Sequence, residues 1–287
     1  MMAFVRAVRK SPAAASMAAV LLLPFAAQTA TPTAPVTQTL TCPVGGERFA
    51  FTSATAYATW GQRPDGKPYG SWVFPAPLPE CPGNGLVMYR NFSREERAQL
   101  PAILADPGFI ALREGQGTWY RAAYLEHALQ PRSPVTAWLL LNATWEAQDG
   151  SLRKARYQDE FVDAVKVLAG AAPPIEAFAL RVRAANALRE LGRFEEAGIA
   201  LAALPRDTLA SDPAAAQWGA FLDGLARAVA RGDRSPEPLD LIPRQVAAAY
   251  CLGGVSAPPR SDPECSTPDM TQAMKAVRDA RGAHAAH

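Results

Sequence analysis

Two cysteine-proline pairs carry the residues best suited to chemistry. Cys42-Pro43-Val44-Gly45-Gly46 and Cys81-Pro82-Gly83-Asn84-Gly85 follow the spacing of CPxCG metal knuckles, with Gly45 and Asn84 standing where each knuckle would place its second sulfur. A structural zinc asks for four nitrogen or sulfur ligands in a tetrahedron, so two cysteines fall short unless a carboxylate such as Glu47 or Glu80 joins them. Two sulfurs held by one zinc at about 2.3 Å already lie near enough to close to a bond of about 2.05 Å after a small backbone shift. A disulfide in the metal's place suits an oxidising compartment. No metal and no cofactor is expected.

The other reactive types are sparse. Of the three histidines, His284 and His287 sit in the tail, and His127 lies beside Glu126 without an HExxH partner, which points to a packing or surface role. No GxSxG elbow, phosphate loop or dinucleotide fingerprint is present. Adjacent carboxylates at Glu95/Glu96, Asp159/Glu160 and Glu195/Glu196 diverge by about 100° on a helix, so they read as solvated faces rather than as an acid/base pair. Trp119, Tyr120, Tyr124, Trp138 and Trp145 are candidate binding aromatics that could stack on sugars or peptide side chains, although their helical spacing also suits a core. The sequons Asn91-Phe-Ser93 and Asn142-Ala-Thr144 carry no weight, because the Ala/Pro/Arg-heavy composition reads as bacterial.

The elements that must hold these residues begin with a leader. Arg6, Arg9 and Lys10 precede an apolar run from Met17 to Phe25 and then small residues to Ala30, the order of a secretory signal peptide over 1–30. Its apolar core, interrupted by Pro24, is too short for a comfortable span. Removing 1–30 takes away three of the 29 basic residues and none of the 27 acidic ones, leaving a chain of about −1. With no dense basic stretch interleaved with aromatics, nucleic acid is not an expected partner. Four cysteines allow three connectivities. The sequential pairing Cys42/Cys81 and Cys251/Cys265 is favoured over the alternatives and over four free thiols, and on a loop-entropy model contributes about 4 and 3 kcal/mol.

Residues 31–40 are expected as a flexible N-terminus of the mature chain, and 41–92 as a small disulfide-closed β-ribbon. In the ribbon Phe49 and Phe51 alternate with small residues, Pro64-Asp65-Gly66 turns, and Tyr69, Trp72 and Phe74 return. Residues 93–231 read as helical hairpins. Ser93 and Glu96 form a capping box for a helix that Pro101 should break or bend, and further helices are predicted over 118–129, 134–150, 151–169, 174–192, 194–204 and 212–231. Residues 232–287 read as a Pro/Gly-rich disulfide loop with a last helix over 271–281. Leu191-Gly192-Arg193-Phe194-Glu195-Glu196-Ala197 has the pattern of a tetratricopeptide turn, in which glycine reverses the chain and alanine admits a close neighbour. The fold class is therefore mainly α, with tetratricopeptide-like hairpins and a small N-terminal β-ribbon.

Taken in order, Cys42-Pro43-Val44-Gly45 with Phe49, Cys81-Pro82-Gly83-Asn84-Gly85, the aromatic segment 119–129, Ala143-Thr144-Trp145 and the Gly192 turn resemble the DUF2225 family of uncharacterised bacterial proteins over roughly 41–205. The resemblance implies a zinc-ribbon-like N-terminus followed by a tetratricopeptide-like helical region. It carries no activity, and the family's second knuckle cysteines are Gly45 and Asn84 here, so zinc binding does not transfer. The expectation is an exported, secreted or periplasmic, non-enzymatic protein of the bacterial envelope, with a protein or peptide partner and no membrane span after leader removal. A cell-envelope hydrolase acting on glycan is the alternative.

Overall fold

The computed structural model describes residues 35–209, 215–253, 259 and 262–285. The expected leader and the last histidine lie outside them. Among the described residues ten α-helices follow four short strands. Strands β1 (Pro35–Thr41) and β2 (Arg48–Ala54) pair antiparallel with Leu40 opposite Phe49 and Gln38 opposite Phe51. Residues 35–41 are thus a strand rather than the loose terminus expected, because the alternating residues of β2 offer them a ladder. Strands β3 (Thr59–Gln62) and β4 (Pro68–Gly70) form a second hairpin, closed by the Gly66 amide on the Arg63 carbonyl at 2.9 Å. The returning strand stops at Gly70, short of Trp72 and Phe74.

Both half-knuckles are present as paired turns. The Cys42 amide donates to Glu47 at 2.8 Å and the Cys81 amide to Leu86 at 2.9 Å, the same five-residue closure in each. Gly46 and Gly85, at φ 71° and 73°, take the left-handed position such a turn needs. Cys42 and Cys81 are bonded, with Cα atoms 5.7 Å apart, and so are Cys251 and Cys265, at 5.5 Å.

Helix α1 (Arg94–Leu104) carries the full Ser93/Glu96 capping box and runs on through Pro101 without breaking. Helix α2 (Pro107–Gly115) was not foreseen, although Asp106 caps it and Pro107 opens it. Helix α3 (Thr118–Leu129) falls on its predicted range, and its N-terminus is capped from afar by Glu146 on the Thr118 and Trp119 amides at 3.1 and 3.2 Å. Helices α4 (Val135–Glu146), α5 (Leu152–Leu168) and α6 (Pro174–Glu190) follow, with α4 ending four residues before Gly150.

Helix α6 ends in a Schellman motif: Gly192, at φ 81°, donates to Arg189 and Arg193 donates to Leu188, both at 2.9 Å. The chain then reverses into α7 (Phe194–Ala202), whose Ala197 is fully buried as the turn pattern requires. Helix α8 (Ala215–Ala230) ends on the same motif at Gly232. Helices α9 (Arg244–Leu252) and α10 (Pro268–Ala285) pack on each other across the second disulfide, and α9 arises inside a stretch that reads as loop.

Consecutive helices from α3 to α8 pack against one another. Their main core is continuous from Cys42, Cys81 and Leu86 through Leu125 and Leu140 to Phe161 and Leu188. A second cluster joins Phe178 and Val182 to Leu222 and Leu225, and a third joins Ala247, Cys251 and Met270. The fold is mainly helical with small N-terminal β-hairpins. Among the described residues no helix is long and apolar enough to cross a membrane.

Candidate functional site

The half-knuckles do not suit zinc. Both sulfurs are spent on each other, Gly45 brings no donor, and the Asn84 amide is committed to the frame: Nδ2 donates to the Val44 carbonyl at 3.0 Å and Oδ1 accepts from the Leu86 amide at 3.0 Å. Asn84 therefore bridges one turn to the other where a shared metal would have done so. The carboxylates that could have completed a site are used elsewhere. Glu47 accepts from the Gly83 amide at 2.9 Å, and Glu80 takes a two-pronged bond from Arg121 at 2.6 and 2.7 Å. This arrangement staples; it does not coordinate.

A groove of about 420 Å³ lies along helices α3, α4 and α5. Helical periodicity explains its walls. Tyr120, Ala123, Tyr124 and His127 stand at i, i+3, i+4 and i+7 on α3, while Glu160, Asp163, Ala164 and Val167 repeat the same spacing on α5. The floor is α4, through buried Thr136 and Leu140. Val167 is 79% exposed, an apolar side chain with no cover, and the Thr136 hydroxyl is buried without a hydrogen-bond partner.

At one end the Tyr120 ring stacks on Tyr157 with centroids 4.4 Å apart, Arg156 lies over both rings, and the Tyr120 hydroxyl donates to Glu160 at 2.7 Å. Burial first, and then this bond to a carboxylate, raise the Tyr120 hydroxyl well above its ordinary pKa. One turn further along α3 the Tyr124 hydroxyl donates to Asp106 at 3.1 Å. Among the described residues the only charged side chains lining the groove are Glu160 and Asp163, with exposed His127 on the α3 wall.

The five aromatics singled out by spacing separate. Tyr120 and Tyr124 line the groove. All five pack against the main core, but Trp119, Trp138 and Trp145 do not line the groove, and Trp119 donates its indole N–H to the Ala76 carbonyl at 3.0 Å. Five of the six paired carboxylates have partners, Glu95 with Ser93, Glu96 with Arg90, Asp159 and Glu196 with Arg193, and Glu160 with Tyr120, while Glu195 is exposed. The Asn142 amide is turned onto the Trp138 carbonyl within α4.

A second, polar hollow of about 280 Å³ opens beside the α5 N-terminus and is bordered by Lys154, Gln158, Glu190 and Arg234. It flanks a largely buried charge network, with Asp149 at its exposed edge, that joins four separate segments. The Lys154 ammonium bonds Asp149 at 2.6 Å and Glu190 at 3.0 Å, and Arg63 reaches Asp149 with both terminal nitrogens at 3.1 Å. Gln158 and Asn186 each donate to Glu190 at 2.8 Å. Arg189, fully buried, donates to the Asp233 and Ser235 carbonyls at 2.6 and 2.8 Å and to the Asn186 side chain.

Burial alone would raise the Asp149 carboxyl, but the bonds from Arg63 and Lys154 outweigh it and hold the group at about 2. Arg183 sits beneath, donating to the Pro64 carbonyl over the Phe221 ring, and burial lowers it to about 10. Sequence reasoning missed this network, since its members are spread from 63 to 235 and each reads singly as a surface charge.

No family model, no curated protein and no solved structure matches the chain.

Proposed function

We propose that the protein is an exported, non-catalytic module that binds an apolar segment of another protein or a peptide in the groove between α3 and α5. The observation that carries this reading is the groove itself: apolar walls with Val167 uncovered, set on a rigid helical array whose other polar groups are largely engaged with one another. A concave face between successive antiparallel helices is the surface on which helical-repeat proteins present binding residues. Export is supported by the leader-like first thirty residues and by two bonded cysteine pairs, which persist in oxidising compartments. Kinship with the DUF2225 family rests on the two knuckle turns and the Gly192 reversal.

The test is selection from a random displayed peptide library on the full-length exported protein and on its Val167→Asp variant. Because Val167 is exposed, the substitution should leave thermal unfolding within about 0.5 kcal/mol of wild type. The expected outcome is enrichment of peptides with paired apolar residues on the wild type alone. Equal enrichment on both proteins, or none on either, removes the groove as the binding surface.

A further inference from the structure

Resting on that reading, we infer that the occupant of the groove is a basic apolar segment, with a lysine or arginine next to the large apolar residues that fill it. The argument is charge complementarity. On α5, Glu160 and Asp163 lie one turn apart along the same wall that presents Val167. No lysine or arginine lines the groove among the described residues, and the only other titratable groups facing it are His127 and the hydroxyls of Tyr120 and Tyr124.

The cations that now serve the two acids come from outside. Arg156 lies 3.5 Å from Glu160 and Lys166 lies 2.9 Å from Asp163, and all four side chains are 39% or more exposed. Such surface pairs hold weakly, so a ligand ammonium or guanidinium can displace or join them at little cost. Glu160 is also oriented for this task, because the Tyr120 hydroxyl fixes one of its oxygens and leaves the other toward the exposed Arg156 side. An acidic segment would meet the two carboxylates on the lining itself, while the cations that pair with them, Arg156 and Lys166, lie outside it. Apolar contact supplies the binding, and the acidic rim sets which apolar segments are accepted.

Three fluorescent peptides decide it, identical except for one position beside a central Leu-Phe pair, where they carry lysine, glutamine or glutamate. Their anisotropy is titrated with the wild type, with a Glu160→Gln/Asp163→Asn double variant and with Val167→Asp. On the wild type the lysine peptide should bind tightest and the glutamate peptide weakest, with a spread of roughly tenfold that shrinks at high salt. In the double variant the three should fall within about twofold of one another.

An undiminished spread in the double variant, or a glutamate peptide that binds the wild type as tightly as the lysine peptide, overturns the inference while apolar binding in the groove stands. Binding that survives Val167→Asp, or no binding by any peptide, overturns the groove reading and this inference with it.

Discussion

Helix α5 faces two hollows built on opposite rules. Toward α3 it shows Glu160, Asp163, Ala164 and Val167, which leave apolar surface bare and charges on the rim. Toward α6 and the 59–70 hairpin it sends Lys154 and Gln158 into a network whose buried side-chain polar atoms are hydrogen-bonded except Arg63 Nε and Asp65 Oδ2, the latter lying 3.7 Å from the Arg63 guanidinium. A buried charge that is paired and hydrogen-bonded specifies how segments meet, whereas a bare apolar groove has unspent contact area. The polar hollow is accordingly a lock within the fold, and the groove is the surface proposed for a partner. The same contrast sets what damage at each place should do.

The largest effect is expected in the lock. Lys154→Met strands Asp149 and the buried Glu190 without their ammonium and should cost about 3–5 kcal/mol in denaturant unfolding. A loss below about 1 kcal/mol would mean that Arg63, Gln158 and Asn186 suffice.

Acid should act on the same region. The Asp149 carboxyl has its pKa depressed from 3.8 to about 2 in the folded chain, so the unfolded state takes up the proton first as pH drops. Its contribution is full above pH 3.8 and disappears as pH falls toward 2, and Asp149→Asn should flatten that part of a plot of urea midpoint against pH. Glu96, held at about 2 chiefly by its bonds from Arg90, sharpens the decline over a slightly wider window from 4.5 downward. An unchanged midpoint between pH 5 and pH 2 would contradict both assignments.

The smallest effect is expected on the groove floor. Thr136→Val removes a buried hydroxyl that has no partner and should stabilise the protein by about 1 kcal/mol. A destabilisation of that size would show that the hydroxyl is satisfied in solution and would weaken the contrast between the two hollows.

Much of the frame was legible because it is written in short-range chemistry. Ser93 with Glu96, Ser151 before α5, Pro174 at the start of α6 and Gly192 after it are cap signals acting over three or four residues, and each falls where the structure places it. Helix α2 carried an equally clear Asp-Pro start at 106–107 that went unread. Helix α9 had no such marker, since Pro243 precedes it without a side-chain cap and its stability comes from packing Ala247 and Cys251 on α10. Pro101 misled in the other direction: a single proline cost too little to end a helix whose Leu100 and Leu104 are buried.

By itself the sequence determined the class of the fold, the turn at Gly192 and the loss of zinc ligands at Gly45 and Asn84, because each follows from residue type or spacing within one or two turns of chain; it only favoured the pairings Cys42–Cys81 and Cys251–Cys265 among three connectivities, and the tertiary structure selected them. Only the tertiary structure decided which aromatics face a groove and which serve the core. It likewise decided that Asn84 spans the two knuckle turns and that Arg63, Asp149, Lys154 and Glu190 meet across more than a hundred residues of sequence. The reason is physical. A cap or a helical stripe is settled by neighbours along the chain, but the cost of burying a charge and the exposure of an apolar face depend on what other segments bring to the same place.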